Sequence, residues 1–460
     1  MSLGSIALKA IENSRETLEQ ASIKIWENPE GPFKEFEACK ITAEILKNAG
    51  FNVEVGAAGI PTAIKATYGE GHPVIGFLGE YDALPGMSQK LCTEKESAGQ
   101  SYGHGCGHNL LGTAHVGAVI GMKEEMEQKN LKGTIIFFGC PAEEILVGKG
   151  YMAREGAFDD IDLCIHFHPN RLNAVNVGTM NGLNTAKFHF RGKTAHAGGD
   201  PHNGRSALDA VEIMNVGANY LREHVTTDVR IHYVITHGGT APNIVPDYAC
   251  VWYYVRAPKR EVVEDTYKRL IKVAEGAAHM TETKLEVEYL GGCYNTLNNK
   301  VLAEVINEAL NEAPRDSYTE EEKKFAGELN KATPEVKESL VRKNNIPADM
   351  EICDMVLPIQ NVDGFGSTDV GDVQHIVPGI MFGTACYGLG AAGHSWQITA
   401  SSGHSIGRKG MIYASRVMAI AGLKILEDPS IYERAKKEFD EAMAGKEYLC
   451  PIPKDLPIPQ

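Results

Sequence analysis

The sequence predicts an α/β protein, with a mostly parallel sheet, helices on both faces of that sheet, and a separate α+β domain inserted into the first. Three observations support this fold class. The chain has 460 residues, which is too long for one compact core. Short apolar runs alternate with helical stretches in its N-terminal part. From about Leu183 the pattern changes to alternating strands, which indicates the second domain.

The N-terminal residues 5–28 and 36–49 carry apolar side chains at helical spacing. In the second stretch Ile41, Ile45 and Leu46 fall on one face, and Gly50 stands where a helix would end. We therefore expect two helices before the first strand.

Four short apolar runs, each bounded by Gly or Pro, predict strands. They cover residues 74–78, 134–138, 161–167 and 380–384. A helical stretch over about 110–126 separates the first two. This alternation is typical of a mostly parallel sheet covered by helices.

Side chains that can bind a metal lie in or after these runs. In chain order they are Glu80 and Asp82, Glu143 and Glu144, His166 and His168, and His394. Open α/β sheets bind ligands at the carboxyl ends of their strands, so we expect one sheet edge to gather these groups.

The inserted domain is predicted over residues 183–294, and the first domain over 1–182 and 295–460. Within the insertion, strands are expected at 187–191, 230–236 and 248–255, and helices at 206–223 and 261–279. The polar, highly charged segment 311–350 is interpreted as a solvated helix and linker.

Composition limits the partners. The formal net charge of -15 and the pI of about 5.6 argue against nucleic acid and anionic membranes, which would repel the protein, and favour a small molecule. We find no run of eighteen apolar residues and no signal-peptide pattern, and we expect a cytoplasmic protein. The ten scattered cysteines favour reduced thiols over a disulfide framework.

The segment 103–110, GHGCGHNL, is the sharpest local motif. Glycines on both sides of Cys106 allow a tight turn that brings its thiolate and the His108 imidazole toward one point. These two ligand types together suit zinc or another borderline divalent metal. A glycine-rich turn with incidental polar residues is the alternative.

The adjacent carboxylates of Glu143 and Glu144 stand in a mostly apolar neighbourhood, where like charges repel and burial disfavours both. A bound cation is one explanation. In an extended segment the two side chains would diverge, so one could bind metal while the other acts as general base. A solvated pair that begins a helix is the alternative. A Cys-x-His motif, a Glu pair and several histidines at strand ends are hard to explain separately.

Eight motifs in the expected order resemble the metal-dependent aminoacylase and exopeptidase family, in its branch close to p-aminobenzoyl-glutamate hydrolase. The resemblance covers nearly the whole chain. The motifs are GEYDALP at 79–85, the stretch 103–112, PAEE at 141–144, HP at 168–169, GKTAHA at 192–197, APNIVP at 241–246, GSTD at 366–369 and HSWQ at 394–397.

The resemblance implies a catalytic domain that holds two divalent ions, zinc or manganese. Glu143 would be the general base, and Asp82 an orienting carboxylate behind a ligand. The implied metal ligands, with Cys106 in the bridging position, are Cys106, His108, Glu144, His168 and His394.

The resemblance also implies that the inserted domain is a lid that forms a homodimer. His196 would steady the oxyanion in the partner subunit's site, and Asn243 would also reach across. Arg256 would grip the substrate carboxylate, since its fork binds both oxygens at once. Ser367 and Thr368 would line the same pocket.

Two positions leave alternatives open. Glu80 stands where much of the wider family has His or Asp, so its contact with metal is undecided. His168, directly before Pro169, is preferred as ligand over His166, although a strand would point both to the same side.

The resulting hypothesis is metal-dependent hydrolysis of an amide bond in a small carboxylate-bearing substrate: p-aminobenzoyl-glutamate, an N-acyl amino acid or a dipeptide. One alternative is a two-metal hydrolase of another ester class. The lack of a Gly-x-x-x-x-Gly-Lys-Ser/Thr phosphate loop weakens the phosphate-ester form of it. The other is an inactive homologue that binds a metabolite or peptide, which the presence of Glu143 beside Glu144 disfavours.

Overall fold

The structure, a computed structural model, describes residues 3–459. It divides into two compact units. The larger comprises the described residues up to Gly178, Leu297–Val362 and those from Asp372 onward; the smaller comprises Thr179–Thr296 and Asp363–Gly371. Residues 363–371, assigned from the sequence to the first domain, group with the smaller unit because their backbone pairs with it: Gly364 N–H donates to Thr179 O, and Asn181 N–H to Gly366 O.

The strands of the described residues are β1 (Asn52–Val55), β2 (Ile64–Glu70), β3 (Val74–Glu80), β4 (Leu84–Pro85), β5 (Tyr102–Gly103), β6 (Gly133–Cys140), β7 (Leu163–Asn170), β8 (Ala174–Val175), β9 (Gly182–Arg191), β10 (Arg230–His237), β11 (Tyr248–Ala257), β12 (Lys284–Cys293) and β13 (Gly379–Ala385).

The helices are α1 (Ser5–Glu27), α2 (Phe36–Asn48), α3 (His108–Lys129), α4 (Gly148–Arg154), α5 (Ala207–Leu221), α6 (Arg260–Thr281), α7 (Lys300–Glu312), α8 (Glu320–Asn330), α9 (Pro334–Asn344), α10 (Val370–Gln374), α11 (Trp396–Gly403), α12 (Ser405–Glu427) and α13 (Pro429–Met443). None of these is long and apolar enough to cross a membrane.

The larger unit is built on a sheet with the strand order β1-β2-β6-β3-β7-β13-β8. The four strands β6, β3, β7 and β13 run parallel, and the outer strands are antiparallel. Every residue of β3 and β6 is buried, so both faces of the sheet centre are covered, as parallel sheets require. The predicted fold class is confirmed.

Helix α3 packs in the core of this unit. Ser415 Oγ on α12 donates to Ala114 O on α3 at 2.8 Å. The buried Glu125 carboxylate, near the other end of α3, accepts from Gly4 N and Ala7 N and so caps the N-terminus of α1. The start of α3 lies against the end of β3, where a Cβ at Gly112 would be 2.5 Å from Glu80 O.

The smaller unit has an antiparallel sheet in the order β10-β11-β9-β12. Along β11 the residues Ala249, Val251, Tyr253 and Val255 are buried in a core shared with α5 and α6. Strand β12 was not among the strands predicted from the sequence, although charged and apolar side chains alternate over its residues 284–289 as in a half-buried strand.

The charged segment 311–350 contains α8 and α9. The residues of α9 are all at least partly exposed, in keeping with a solvated helix. Helix α8 differs, since Ala326 packs in a small apolar cluster with Leu389 and Ile406. The polar composition concealed this cluster.

Candidate active site

The chain segments at the ends of the parallel strands β3 and β6 converge with the start of α3 in the larger unit. Strand β3 ends at Glu80, two residues before Asp82, and β6 ends at Cys140, just before Glu143. Helix α3 begins at His108, and its first residues face the same place. The expected edge site therefore has a structural counterpart.

Gly107 permits the turn that presents Cys106 and His108. Its φ is +85°, and a Cβ there would lie 2.1 Å from the hydroxyl oxygen of Tyr387. That hydroxyl donates to the carbonyl of Cys106 at 2.8 Å. A left-handed backbone and a close neighbour together require glycine here.

Two sets of potential metal ligands share Cys106. The first set comprises Cys106, His108 and His168, and the second comprises Cys106, Glu144 and His394. Within each set the potential ligand atoms all lie within 4.8 Å of one another. Cys106 Sγ lies 3.4 Å from His168 Nε2, and Glu144 Oε2 lies 3.7 Å from His394 Nε2. The five side chains that the resemblance implied as ligands are thus brought together, with the thiol common to both sets.

The donor chemistry fits divalent cations. His108 Nε2 and Glu144 Oε1 are buried, and neither has a hydrogen-bond partner among residues 3–459. Leaving such an atom unsatisfied costs roughly 1–3 kcal/mol, which a cation at each position would relieve. Thiolate, imidazole and carboxylate are also the ligand types that zinc takes.

Asp82 orients both sides of this cluster. It is fully buried, and its Oδ1 lies 2.9 Å from His108 Nδ1. Its Oδ2 accepts from the backbone N–H of Glu144 at 2.8 Å. The contact with Nδ1 orients the His108 ring so that its Nε2 faces the cluster, and the contact with the backbone N–H fixes the position of Glu144. Residues that hydrogen-bond to metal ligands commonly orient them in this way.

Glu143 and Glu144 lie in a tight turn, so the expectation of an extended segment was wrong. Residues Glu143–Ile145 form a 3-10 turn between Ala142 and Leu146, which have φ values of 60° and 61°. Strand β6 ends at Cys140, and the turn that follows is closed by a hydrogen bond in which Leu146 N–H donates to Glu143 O at 2.6 Å. Glu143 Oε2 still lies 3.8 Å from His108 Nε2, on the cluster side.

Burial shifts the pKa values of Glu144, Cys106 and His168 toward their neutral forms. Burial, together with the Asp82 and Glu80 carboxylates, raises the pKa of Glu144 to about 8. Burial and the Glu144 carboxylate raise the pKa of the Cys106 thiol to about 12. Burial and the nearby His108 lower the pKa of His168 to about 4. A cation would favour the ionised Cys106 and Glu144.

Lys149, which the sequence did not single out, forms a fully buried ion pair with Glu80. Burial alone would raise the pKa of Glu80, but the Lys149 ammonium together with the neighbouring His166 and His108 outweighs burial and holds the pKa below its usual value. Glu80 Oε2 lies 3.4 Å from His108 Nε2. In the sequence, the only feature that marks Lys149 is its position between two glycines, and this feature does not indicate which residue it would contact.

His166 faces Glu80 rather than Cys106. Its Nδ1 lies 2.9 Å from Leu78 O, and its Nε2 lies 3.5 Å from Glu80 Oε1. Of these two histidines, only His168 belongs to a ligand set that contains Cys106 among the described residues. The geometry therefore favours His168 of the two as a ligand.

In the smaller unit, His196 and Asn243 lie side by side and both are exposed. His196 Nδ1 accepts from Gly199 N–H at 2.9 Å, and Asn243 O accepts from Ala197 N–H at 3.0 Å. The imidazole is thereby tied to its own loop through one nitrogen.

Arg256 and Ser367 form a second pair in the smaller unit. Arg256 Nη1 donates to Ser367 Oγ at 3.3 Å, and its guanidinium lies over the Tyr254 ring. Thr368 is buried, and its hydroxyl accepts from Val370 N–H, which is a local backbone contact.

Comparison with known proteins gives the same architecture. A family model described as a peptidase dimerisation domain matches residues 179–281. One of the p-aminobenzoyl-glutamate hydrolase subunits of Escherichia coli is 38% identical over 97% of this chain and 97% of its own. The Xaa-Arg dipeptidase of Mus musculus is 28% identical over 94% and 91%. A dinuclear metal-binding peptidase of the M20 family from Bacillus subtilis shares the fold, with a TM-score of 0.56, 19% identity and coverage of 90% and 99%.

Fold and site define a two-domain hydrolase with a parallel-sheet domain and a dimerisation domain. The chain belongs to the M20 family of metallopeptidases and amidohydrolases.

Proposed function

We propose that the protein hydrolyses an amide bond in a small, carboxylate-bearing substrate and that it uses two divalent ions, zinc or manganese. Candidate substrates are p-aminobenzoyl-glutamate, an N-acyl amino acid and a dipeptide, which match the activities for which its relatives are named. The observation that carries the proposal is the sharing of Cys106 between two ligand sets beside Glu143.

Cys106, His108 and His168 would hold one ion, and Cys106, Glu144 and His394 the other. When bound, such ions polarise a carbonyl and lower the pKa of water. Asp82 keeps the His108 ring oriented through Nδ1, so that Nε2 stays available.

Glu143 is the proposed general base. Its carboxylate takes a proton from the attacking water and then gives that proton to the leaving nitrogen as the C–N bond breaks. The residue is only 6% exposed, which keeps bulk water from competing for the proton. The turn holds Glu143 beside Glu144, so base and ligand move together.

Arg256 is proposed to bind the substrate carboxylate. Its Nε is buried and has no hydrogen-bond partner within the described chain, while Nη1 is held by Ser367. Because Ser367 fixes one nitrogen of the planar guanidinium, the remaining N–H groups are left to donate side by side to the two oxygens of a carboxylate. Thr368 would support the same pocket wall. His196 and Asn243 are proposed to serve the partner subunit's site, with His196 steadying the oxyanion.

A homodimer is proposed to form through the smaller unit. Strand β10 lies at the edge of its sheet, and Tyr233, Val234 and Ile235 on it are exposed. Exposed apolar edge strands attract another strand, and a second copy would cover this one. Val216 and Tyr220 on α5 are also exposed apolar residues.

We also propose that the protein acts in the cytoplasm.

The test is amine release from p-aminobenzoyl-glutamate, several N-acetyl amino acids and a few dipeptides. Wild-type protein should release amine from at least one. Glu143→Gln should keep its metal and lose activity by about 10²–10⁴-fold, whereas Glu155→Gln, at an exposed carboxyl, should not. Silence of the metal-loaded wild type on the whole panel, or an active Glu143→Gln, would contradict the proposal.

A further inference from the structure

The turn that carries Glu143 and Glu144 is strained and needs external support. Ala142 and Leu146 adopt left-handed backbone conformations without being glycine, which is energetically unfavourable for residues with a side chain. At Gly148 a Cβ would lie 1.6 Å from Pro141 O, so the turn closes tightly on itself. Something outside residues 141–148 must hold it.

Glu35 supplies such a contact from a distant part of the sequence. It lies directly before α2, is fully buried, and its Oε1 accepts from Ala142 N–H at 2.9 Å. The same oxygen accepts from Phe33 N–H at 2.9 Å, and Oε2 accepts from the Thr62 hydroxyl at 2.9 Å. The bond to Ala142 joins the carboxylate to the residue just before Glu143.

We propose that Glu35 is a positioning residue for the Glu143–Glu144 turn. This inference rests on the proposed function, in which Glu143 moves the proton and Glu144 holds an ion. Glu35 touches neither substrate nor ion; it fixes the Ala142 backbone, and Asp82 fixes the Glu144 backbone two residues later. Two buried carboxylates thereby clamp the turn on both sides of Glu143.

The loop that carries Glu35 also supports the segment that follows β3 and contains Asp82. Glu30 O accepts from Ala83 N–H at 2.8 Å, directly after Asp82. The connection between α1 and α2 therefore contacts the chain beside Asp82 and beside Glu143. Phe33, with φ 61°, is held by the same Glu35 oxygen as Ala142, so the two left-handed residues share one acceptor.

The proposal is tested with three substitutions of Glu35 in the full-length, metal-loaded protein. Glu35→Ala removes the acceptor, and Glu35→Asp keeps the charge but withdraws it by one methylene. Glu35→Gln keeps an oxygen that can accept both N–H groups, and its amide can donate to Thr62. Glu37→Ala removes an exposed carboxyl from the same helix start and serves as control.

We expect kcat to fall by about 10²-fold in Glu35→Ala and Glu35→Asp, since small misplacements of catalytic groups have effects of this size. KM should change by less than about threefold, since Glu35 touches no substrate. Glu35→Gln should restore kcat to within a few-fold of wild type, and Glu37→Ala should match wild type. Hydrogen exchange, followed by mass spectrometry in peptides covering 141–148, should accelerate in the Ala and Asp variants only.

If Glu35→Ala does not fold, Glu35→Asp carries the same test. Wild-type kcat and unchanged exchange at 141–148 in a folded Ala or Asp variant would overturn the proposal. So would a loss of kcat that Glu35→Gln fails to restore. Hydrogen exchange needs no substrate, so accelerated exchange supports the Glu35 contact even if the wild type hydrolyses no amide, and only the proposed function then fails.

Discussion

At the residue scale, the protonation of a few buried side chains controls whether a cation can bind. Without a cation, Cys106 with its pKa of about 12 and Glu144 with its pKa of about 8 are protonated below neutral pH. Binding needs the thiolate and the carboxylate, so each group must release a proton. Protons and cations therefore compete for the same atoms.

This competition fixes the sign of the pH dependence. Metal affinity should rise with pH, by about tenfold per unit for each proton released, from pH 6 up to about pH 8. Chelator competition at several pH values, corrected for protonation of the chelator, measures it. An affinity that stays constant or falls over this range would rule out Cys106 and Glu144 as ligands.

The residues that the sequence identified share one property: they stand in short motifs, either next to predicted strands or, for Cys106 and His108, just before the helix predicted at about 110–126. Cys106, His108, Glu144 and His168 were found in that way. Lys149 and Glu35 were not, because their importance comes from partners 69 and 107 positions away. Sequence spacing does not encode such contacts, and only the packed core reveals them.

At the element scale, the turn into α3 decides how the ligands are presented. Gly107 and Gly56 have the same φ of +85°, but a Cβ at Gly107 meets Tyr387, whereas one at Gly56 has nothing within 4 Å. The two positions are therefore a matched pair that separates backbone strain from steric conflict.

Gly56→Ala should lower the free energy of unfolding by about 1 kcal/mol, the cost of a left-handed alanine. Gly107→Ala should lower it by a further ~1–3 kcal/mol and should weaken metal binding as well, because Cys106 and His108 flank the position. Denaturant unfolding and metal analysis of both variants test this. Equal effects of the two substitutions would show that the Tyr387 contact does not shape the turn.

Most helices and strands could be predicted where apolar residues recur at a regular spacing or form a continuous run. The helices at 5–28 and 36–49 match α1 and α2, and the four apolar runs match β3, β6, β7 and β13. The 3-10 turn at Glu143 was missed because its shape depends on contacts made by Ala142 and Glu144 rather than on local propensity. The β12 strand was missed although Leu285, Val287 and Tyr289 alternate there with charged residues, which is a strand pattern.

At the scale of the whole molecule, the proposed homodimer assigns His196 to the partner subunit's site. Mixing His196→Ala and Glu143→Gln subunits should then recover up to about a quarter of the wild-type activity, because random assortment leaves half the dimers mixed and each of these has one intact site. Each variant alone should stay nearly inactive. Mixed dimers as inactive as their parents would place His196 and Glu143 in the same site within one chain.

The measurement that bears most directly on a two-metal amidohydrolase is metal content and amide hydrolysis, determined on the same sample of metal-stripped protein as zinc or manganese is returned. We predict amine release from p-aminobenzoyl-glutamate, an N-acyl amino acid or a dipeptide, with full activity at about two ions per chain, and loss of both ion sites in Cys106→Ala. Hydrolysis that persists without metal, or two bound ions retained by Cys106→Ala, would contradict this prediction.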